Sequence, residues 1–228
     1  MRLLKPFLVP MCALAGFAPA VHSDTFGPSG GAGLSGEYAS GGDSPFNGIA
    51  FNYFYLENFE DGALDTVGVS TVGGRPLGPS GATDSVDLDD GVLDGFGRQG
   101  WSYWSSNVTD VTFSFDASAL GRLPSHVGLV MTHSVGPTTI DFIDAQGQSI
   151  ITFDALEFSQ TVNGSTANDR FVGAFYLGGI SGLRVSAGAF ELDHLQYGVV
   201  AVPEPSTYAM FACGLGVLVG MARKRDTL

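Results

Sequence analysis

Twenty-one of the 23 carboxylates in this chain lie between residues 24 and 203, and they are bunched. One group is Glu57-Asn58-Phe59-Glu60-Asp61-Gly62, with Asp65 beyond it. A second is Asp84-Ser85-Val86-Asp87-Leu88-Asp89-Asp90-Gly91, with Asp94. A third is Glu191-Leu192-Asp193-His194. Acids this dense repel one another unless water or a cation stands between them. Calcium takes about six to eight oxygen ligands, which carboxylates and backbone carbonyls supply. Two readings follow, a calcium site or solvated loop acids. An EF-hand is excluded. With Gly91 or Gly95 at the sixth position of that loop, the third position is Leu88 or Val92, where an acid is required.

A second constellation is Trp101-Ser102-Tyr103-Trp104. Aromatic faces pack on sugar rings, so this is a candidate ligand platform. Core packing is the favoured alternative, because large aromatics beside a strand are usually buried. Signals for catalysis are weak. His126, His133 and His194 lack the His-Glu-x-x-His spacing of a zinc hydrolase. No Gly-x-Ser-x-Gly elbow occurs, nor a phosphate-cradling glycine loop. Paired acids suit a glycoside hydrolase, but acids in glycine-rich loops seldom have the buried setting that a general acid needs. The expectation is a protein that is not an enzyme.

The elements that must position these residues read as strands. Residues 24–48 are rich in Gly and Ser and predict a partly ordered leader. Ile49 to Phe59 is an aromatic strand, and Gly73 to Gly81 a loop. Val111, Phe113 and Phe115 alternate with polar residues. Strands are expected at His126–His133, Thr138–Ile143, Ser149–Phe153, Phe171–Leu177, Leu183–Ser186 and Phe190–Tyr197. No stretch between 24 and 203 sustains a 3.6-residue apolar period beyond about three turns. The expected fold is all-β, an antiparallel β-sandwich or jelly roll spanning residues 49–200. In the last strand the apolar side switches between Leu192 and Leu195. That predicts a bulge near Asp193 or a partly buried carboxylate held by a cation.

Composition narrows the partners. Residues 24–203 set 21 acids against five arginines and no lysine, a net charge of −16. Such a surface repels nucleic acid. The same span has no cysteine, since Cys12 and Cys213 lie outside it, so it folds without disulfides.

Both ends read as addresses. Arg2 and Lys5 precede an uncharged stretch from Pro6 to Ala20. Small residues at Ala18-Pro19-Ala20 and Val21-His22-Ser23 offer two signal-peptidase sites, so 1–23 is read as a cleaved signal peptide. At the other end, Pro203-Glu204-Pro205 precedes an uncharged run from Ser206 to Ala222, closed by Arg223-Lys224-Arg225. Its 17 residues span about 26 Å as a helix, short for a hydrocarbon core of about 30 Å. The basic triplet places the body outside the cytoplasm.

Together, residues 202–225 resemble the PEP-CTERM sorting signal of Gram-negative envelopes. The resemblance implies an exosortase that cuts near Pro203-Glu204-Pro205. It also implies a temporary transmembrane helix at 206–222 in the inner membrane, release to the cell surface or exterior, and a link to exopolysaccharide and biofilm. Pro203, Glu204, Pro205, Arg223, Lys224 and Arg225 would be recognised by that enzyme rather than act as catalysts. The body also resembles carbohydrate-binding jelly rolls, through Phe59-Glu60-Asp61-Gly62 and Phe190-x-Leu192-Asp193-x-Leu195-x-Tyr197. In such folds an acid of the first strand and an Asp of the last share a structural calcium. The resemblance therefore implies Glu60 and Asp193 as first ligands, with Glu57, Asp84, Asp87 and Asp89 behind them. The resulting expectation is a non-enzymatic envelope or matrix protein, calcium-stabilised. Two alternatives are a lectin-like carbohydrate-binding module and a polysaccharide hydrolase.

Overall fold

The computed structural model describes residues 31–81, 83–106, 110–158 and 164–201, with backbone alone over 31–36. Twelve strands are present among them: β1 (Gly31–Glu37), β2 (Phe51–Glu57), β3 (Val69–Val72), β4 (Arg75–Leu77), β5 (Ser102–Ser105), β6 (Val111–Phe115), β7 (His126–Ser134), β8 (Thr138–Asp144), β9 (Ser149–Leu156), β10 (Arg170–Phe175), β11 (Ile180–Ser186) and β12 (Phe190–Val200). They form two antiparallel sheets. The first runs β1-β10-β7-β12-β5-β4, with β2 also paired to β12, and the second runs β3-β6-β11-β8-β9. The expected all-β sandwich is the observed architecture. The signal peptide at 1–23 and the helix at 206–222 lie outside the described residues. Among the described residues, no helix is long and apolar enough to cross a membrane.

The core follows from alternation. In β6, Val111, Phe113 and Phe115 point inward, while Thr112 and Ser114 point out. They meet Val127, Leu129 and Met131 of β7 and Leu195 and Tyr197 of β12 across the sandwich. Each such side chain contributes about 1.5–3 kcal/mol on burial. The first sheet is covered on its other face too. There Tyr38, Phe46, Val86, Val130 and Phe171 form a second apolar cluster. Hence β7 is buried along its whole length, and its sequence reads as a continuous apolar run rather than an alternation.

Two expectations are corrected here. Residues from Gly31 onward belong to the sandwich and are no separate leader. β1 pairs with β10 from Gly31↔Phe175 to Glu37↔Arg170, and Tyr38 and Phe46 are buried. Secondly, the expected loop over 73–81 contains β4, where Arg75-Pro76-Leu77 pairs with Ser102–Trp104. It ends the sheet, and the sheet edge is where a proline is tolerated in a strand.

Candidate metal centre

The layer covering the first sheet's outer face carries the acids. Phe190 and Leu192 point into the core, so Glu191 and Asp193 point outward, toward residues 83–100. The chain then slips. The pairing of β12 with β7 shifts between Asp193 and Gln196, and His194 takes φ +44°. Leu195 and Tyr197 return to the core. This is the side switch read from the sequence, and it leaves Asp193 wholly buried.

The segment from Asp84 to Asp87 lies along β12. The Asp84 N–H donates to Glu191 Oε1 at 3.3 Å and the Val86 N–H donates to Asp193 Oδ2 at 2.9 Å. A clasp holds the segment from above. The Ser85 N–H and hydroxyl donate to the Gly97 carbonyl at 3.1 and 2.8 Å, and the Gly97 N–H donates to the Gly164 carbonyl at 2.9 Å. A Cβ at Gly97 would sit 1.8 Å from the Ser85 carbonyl oxygen, so only glycine allows the approach. Thr166–Asn168 forms a short 3-10 turn that delivers Asp169.

The expected ligands divide by what already bonds them. Glu57 accepts from the Phe59, Asp65 and Thr66 N–H groups at 2.9, 3.2 and 3.2 Å. Asp87 accepts from the Asp94 and Gly95 N–H groups at 3.0 and 2.8 Å and from the Thr166 hydroxyl. Both therefore organise loops. Glu60 accepts from the Trp101 N–H at 2.6 Å, and burial pushes its carboxyl up to about 7. Asp193 accepts from the Val86 and His194 N–H groups. Burial raises it well above the usual carboxylate range, and the Asp89 charge pushes the same way.

Asp89, Asp193 and His194 bring one donor atom each within 4.8 Å of one another. His194 is engaged at both nitrogens, however. Gln196 donates to the Tyr38 hydroxyl at 2.9 Å, the Tyr38 hydroxyl bonds His194 Nδ1 at 3.0 Å, and Nε2 faces Asp89 Oδ2 at 2.8 Å. Both ring nitrogens are thus taken, whichever carries the proton.

Asp84 and Asp169 differ. Each is 0% exposed, and none of their four carboxylate oxygens has a hydrogen-bond partner among the described residues. Burial pushes Asp84 up to about 8, the Glu191 carboxylate adds to this, and Arg98 opposes it. Burial also lifts Asp169 well above the ordinary range, with the Asp84 and Asp193 charges next in size. Glu191 is pushed up to about 7 by burial, against the Ser102 hydroxyl and the Asp84 N–H. Sequence reasoning passed over Asp169, which stands alone between Asn168 and Arg170 and joins the acids only through the fold.

The aromatic constellation separates. Tyr103 is a core residue between Phe59 and Phe113, with its hydroxyl on the Gly73 carbonyl at 2.7 Å. It offers no face to a sugar. Trp101 packs over Gly62 and Gly78. Trp104 is half-buried under Arg75, whose guanidinium lies 5.7 Å from the ring centroid. Arg75 and Trp104 line a recess of about 150 Å³ with Gly74, Ser105 and Ser106.

At its end β12 passes into the C-terminal segment without a spacer. Its last residue is Val200, and the Ala201 N–H still bonds the Ala50 carbonyl at 2.9 Å. Residues 201–225 match the PEP-CTERM protein-sorting motif. A PEP-CTERM motif implies a protein that is exported, anchored at the membrane and processed there by an exosortase. Pro203, Glu204, Pro205, Arg223, Lys224 and Arg225 lie outside the described residues. No curated protein matches the chain. Among solved structures, it is similar to the K1 cleaved adhesin domain of Lys-gingipain from Porphyromonas gingivalis W83, at TM-score 0.40 and 11% identity, covering 66% of this chain and 100% of that one. It is also similar to a xylan-binding domain of CBM 22, at TM-score 0.28 and 14% identity, covering 68% and 97%. A third is TmCBM61 in complex with beta-1,4-galactotriose, at TM-score 0.27 and 13% identity, covering 62% and 94%.

Proposed function

We propose that this PEP-CTERM protein is a non-enzymatic component of the cell surface or exopolysaccharide matrix. Its signal peptide takes it across the inner membrane, and the helix at 206–222 holds it there. An exosortase then cuts near Pro203-Glu204-Pro205 and releases an acidic β-sandwich that is stabilised by calcium. The observation that carries the reading is the sorting motif at 201–225, which begins one residue after β12 ends. The inaccessibility of three of the acids argues against their serving as a hydrolase pair. Asp84, Asp169 and Asp193 have no exposed surface, so a polysaccharide bond does not reach them.

The test is an epitope tag placed after Leu228, followed in a Gram-negative cell that makes an exosortase. Wild-type chain should lose the tag and appear at the surface or in the medium. Replacement of Pro203-Glu204-Pro205 by alanines should leave tagged chain in the inner-membrane fraction. Equal processing of the two chains would overturn the reading.

A second reading is carbohydrate binding, favoured by the recess where Arg75 lies over Trp104 beside Ser105 and Ser106. A half-buried aromatic ring beside a guanidinium and the Ser106 hydroxyl suits a sugar ring. Retention on immobilised exopolysaccharide that Trp104→Ala abolishes would support it, and no retention of wild-type chain would remove it.

A further inference from the structure

We propose that Asp84 and Asp169, rather than Glu60 with Asp193, are the paired ligands of a calcium-class divalent cation buried between the 84–87 segment, the Thr166–Asn168 turn and β12. The inference rests on the calcium part of the reading above and deepens it by assigning the ligands.

Four oxygens carry the argument. Both carboxylates are wholly buried, and both lack any hydrogen-bond donor among the described residues. The other expected ligands already have donors: Glu57, Glu60, Asp87 and Asp193 hold backbone N–H groups, and Asp89 holds His194. A buried charge without a partner is strongly unfavourable. Each makes the other worse, since after burial itself the Asp84 charge is the foremost influence raising Asp169. Arg98 and Arg170 offset part of the charge on Asp84 and Asp169 from a distance, but Arg170 gives the Asp169 carboxylate no hydrogen bond. Its guanidinium donates to the Ala167 and Asp169 carbonyls at 3.1 and 2.8 Å. A cation resolves all four oxygens together.

The donor chemistry selects the cation. With His194 engaged at both nitrogens, the available donors are carboxylate oxygens, with Glu191 next to Asp84. An all-oxygen, multiply anionic set suits a hard divalent ion, and calcium accepts irregular geometry more readily than magnesium. The ligands come from separate segments of chain. The ion therefore ties the covering layer to the sheet, as a disulfide would in a chain with cysteines to spare.

The experiment is thermal melting of the full-length chain in detergent, with EDTA, with calcium and with magnesium. Calcium at about 100 times its Kd should raise the Tm of the wild type by about 5–10 °C. Asp84→Asn and Asp169→Asn should each lose that rise. In EDTA each should melt at or above wild type, because a neutral amide of similar shape replaces a carboxyl whose charged form burial disfavours. A merely structural carboxylate would instead lower the Tm in EDTA. Glu60→Gln should keep the rise. A rise that survives in both Asn variants but disappears in Glu60→Gln and Asp193→Asn would overturn this assignment and leave a calcium-stabilised protein. No rise in wild type would overturn both. Should the Asn variants not fold, hydrogen exchange of wild type decides. Calcium-dependent protection at residues 83–97 and 164–169 supports the site, and protection confined elsewhere overturns it.

Discussion

His126 shows how one buried ring makes the fold sensitive to acid. It starts β7, packs against Phe175 at 4.6 Å between centroids, and meets Phe46 and Phe51 edge-on. Burial among these rings pushes its pKa down from 6.5 to about 4. The folded chain therefore binds fewer protons at His126 than the unfolded chain does between those values. Stability from this site is full above pH 6.5 and is lost as pH falls through 4. His126→Phe keeps the ring and removes the titration. Its Tm should fall less than that of wild type between about pH 6.5 and 4, as followed by circular dichroism. A parallel fall in both proteins would show that His126 is not responsible. The residue scale also explains which acids were legible. Their clustering in Glu57–Asp65 and Asp84–Asp94 is visible in the sequence. That Glu57 and Asp87 bind their own loops, while Asp84 binds nothing described, depends on where backbone N–H groups end up.

At the scale of elements, the strands with large alternating side chains were readable. β6 has the boundaries its alternation predicts, and β7 ends one residue beyond them. β1, β3, β4 and β5 were not readable as strands. β1 is Gly31-Ala-Gly-Leu-Ser-Gly-Glu37, with little apolar surface to signal it. It is held by pairing its main chain with β10. β3 and β4 have four and three residues, too short for a period to show. The clasp over Asp84–Asp87 belongs to this scale as well. Gly97→Ala would drive a methyl group into the Ser85 carbonyl. The covering segment must then move, while the two sheets remain paired. Limited proteolysis should cut the variant between residues 83 and 100 faster than wild type, with near-wild-type far-ultraviolet dichroism. Equal cleavage rates would show that the clasp does not hold the segment.

For the whole molecule, charge is the governing quantity. Residues 24–203 carry a net −16 and fold without disulfides, so self-repulsion works against the compact state. Salt screens that repulsion over a Debye length of about 10 Å at 0.1 M. In EDTA, raising sodium chloride from about 10 mM to 300 mM should increase the Tm. An unchanged or lower Tm would mean that repulsion is not limiting. The Arg184–Asp141 pair at 2.7 Å, open to solvent only on its arginine side, runs the other way, but a single pair of this kind is too little to reverse the trend.

What the sequence by itself determined is whatever depends on local order along the chain. The strand alternation determined the all-β class, and the Pro-Glu-Pro, apolar and basic succession determined the sorting motif at 201–225. The side switch around Asp193 foretold the irregularity now seen at His194. Only the tertiary structure decided that both faces of the first sheet are covered, which buries β7 throughout and β12 up to Val199. It alone brought the charge of Asp84 to bear on Asp169, 85 residues apart. The reason is physical. Periodicity records which side of a strand faces the core, whereas the meeting of two loops over a sheet depends on contacts between segments that share no local pattern.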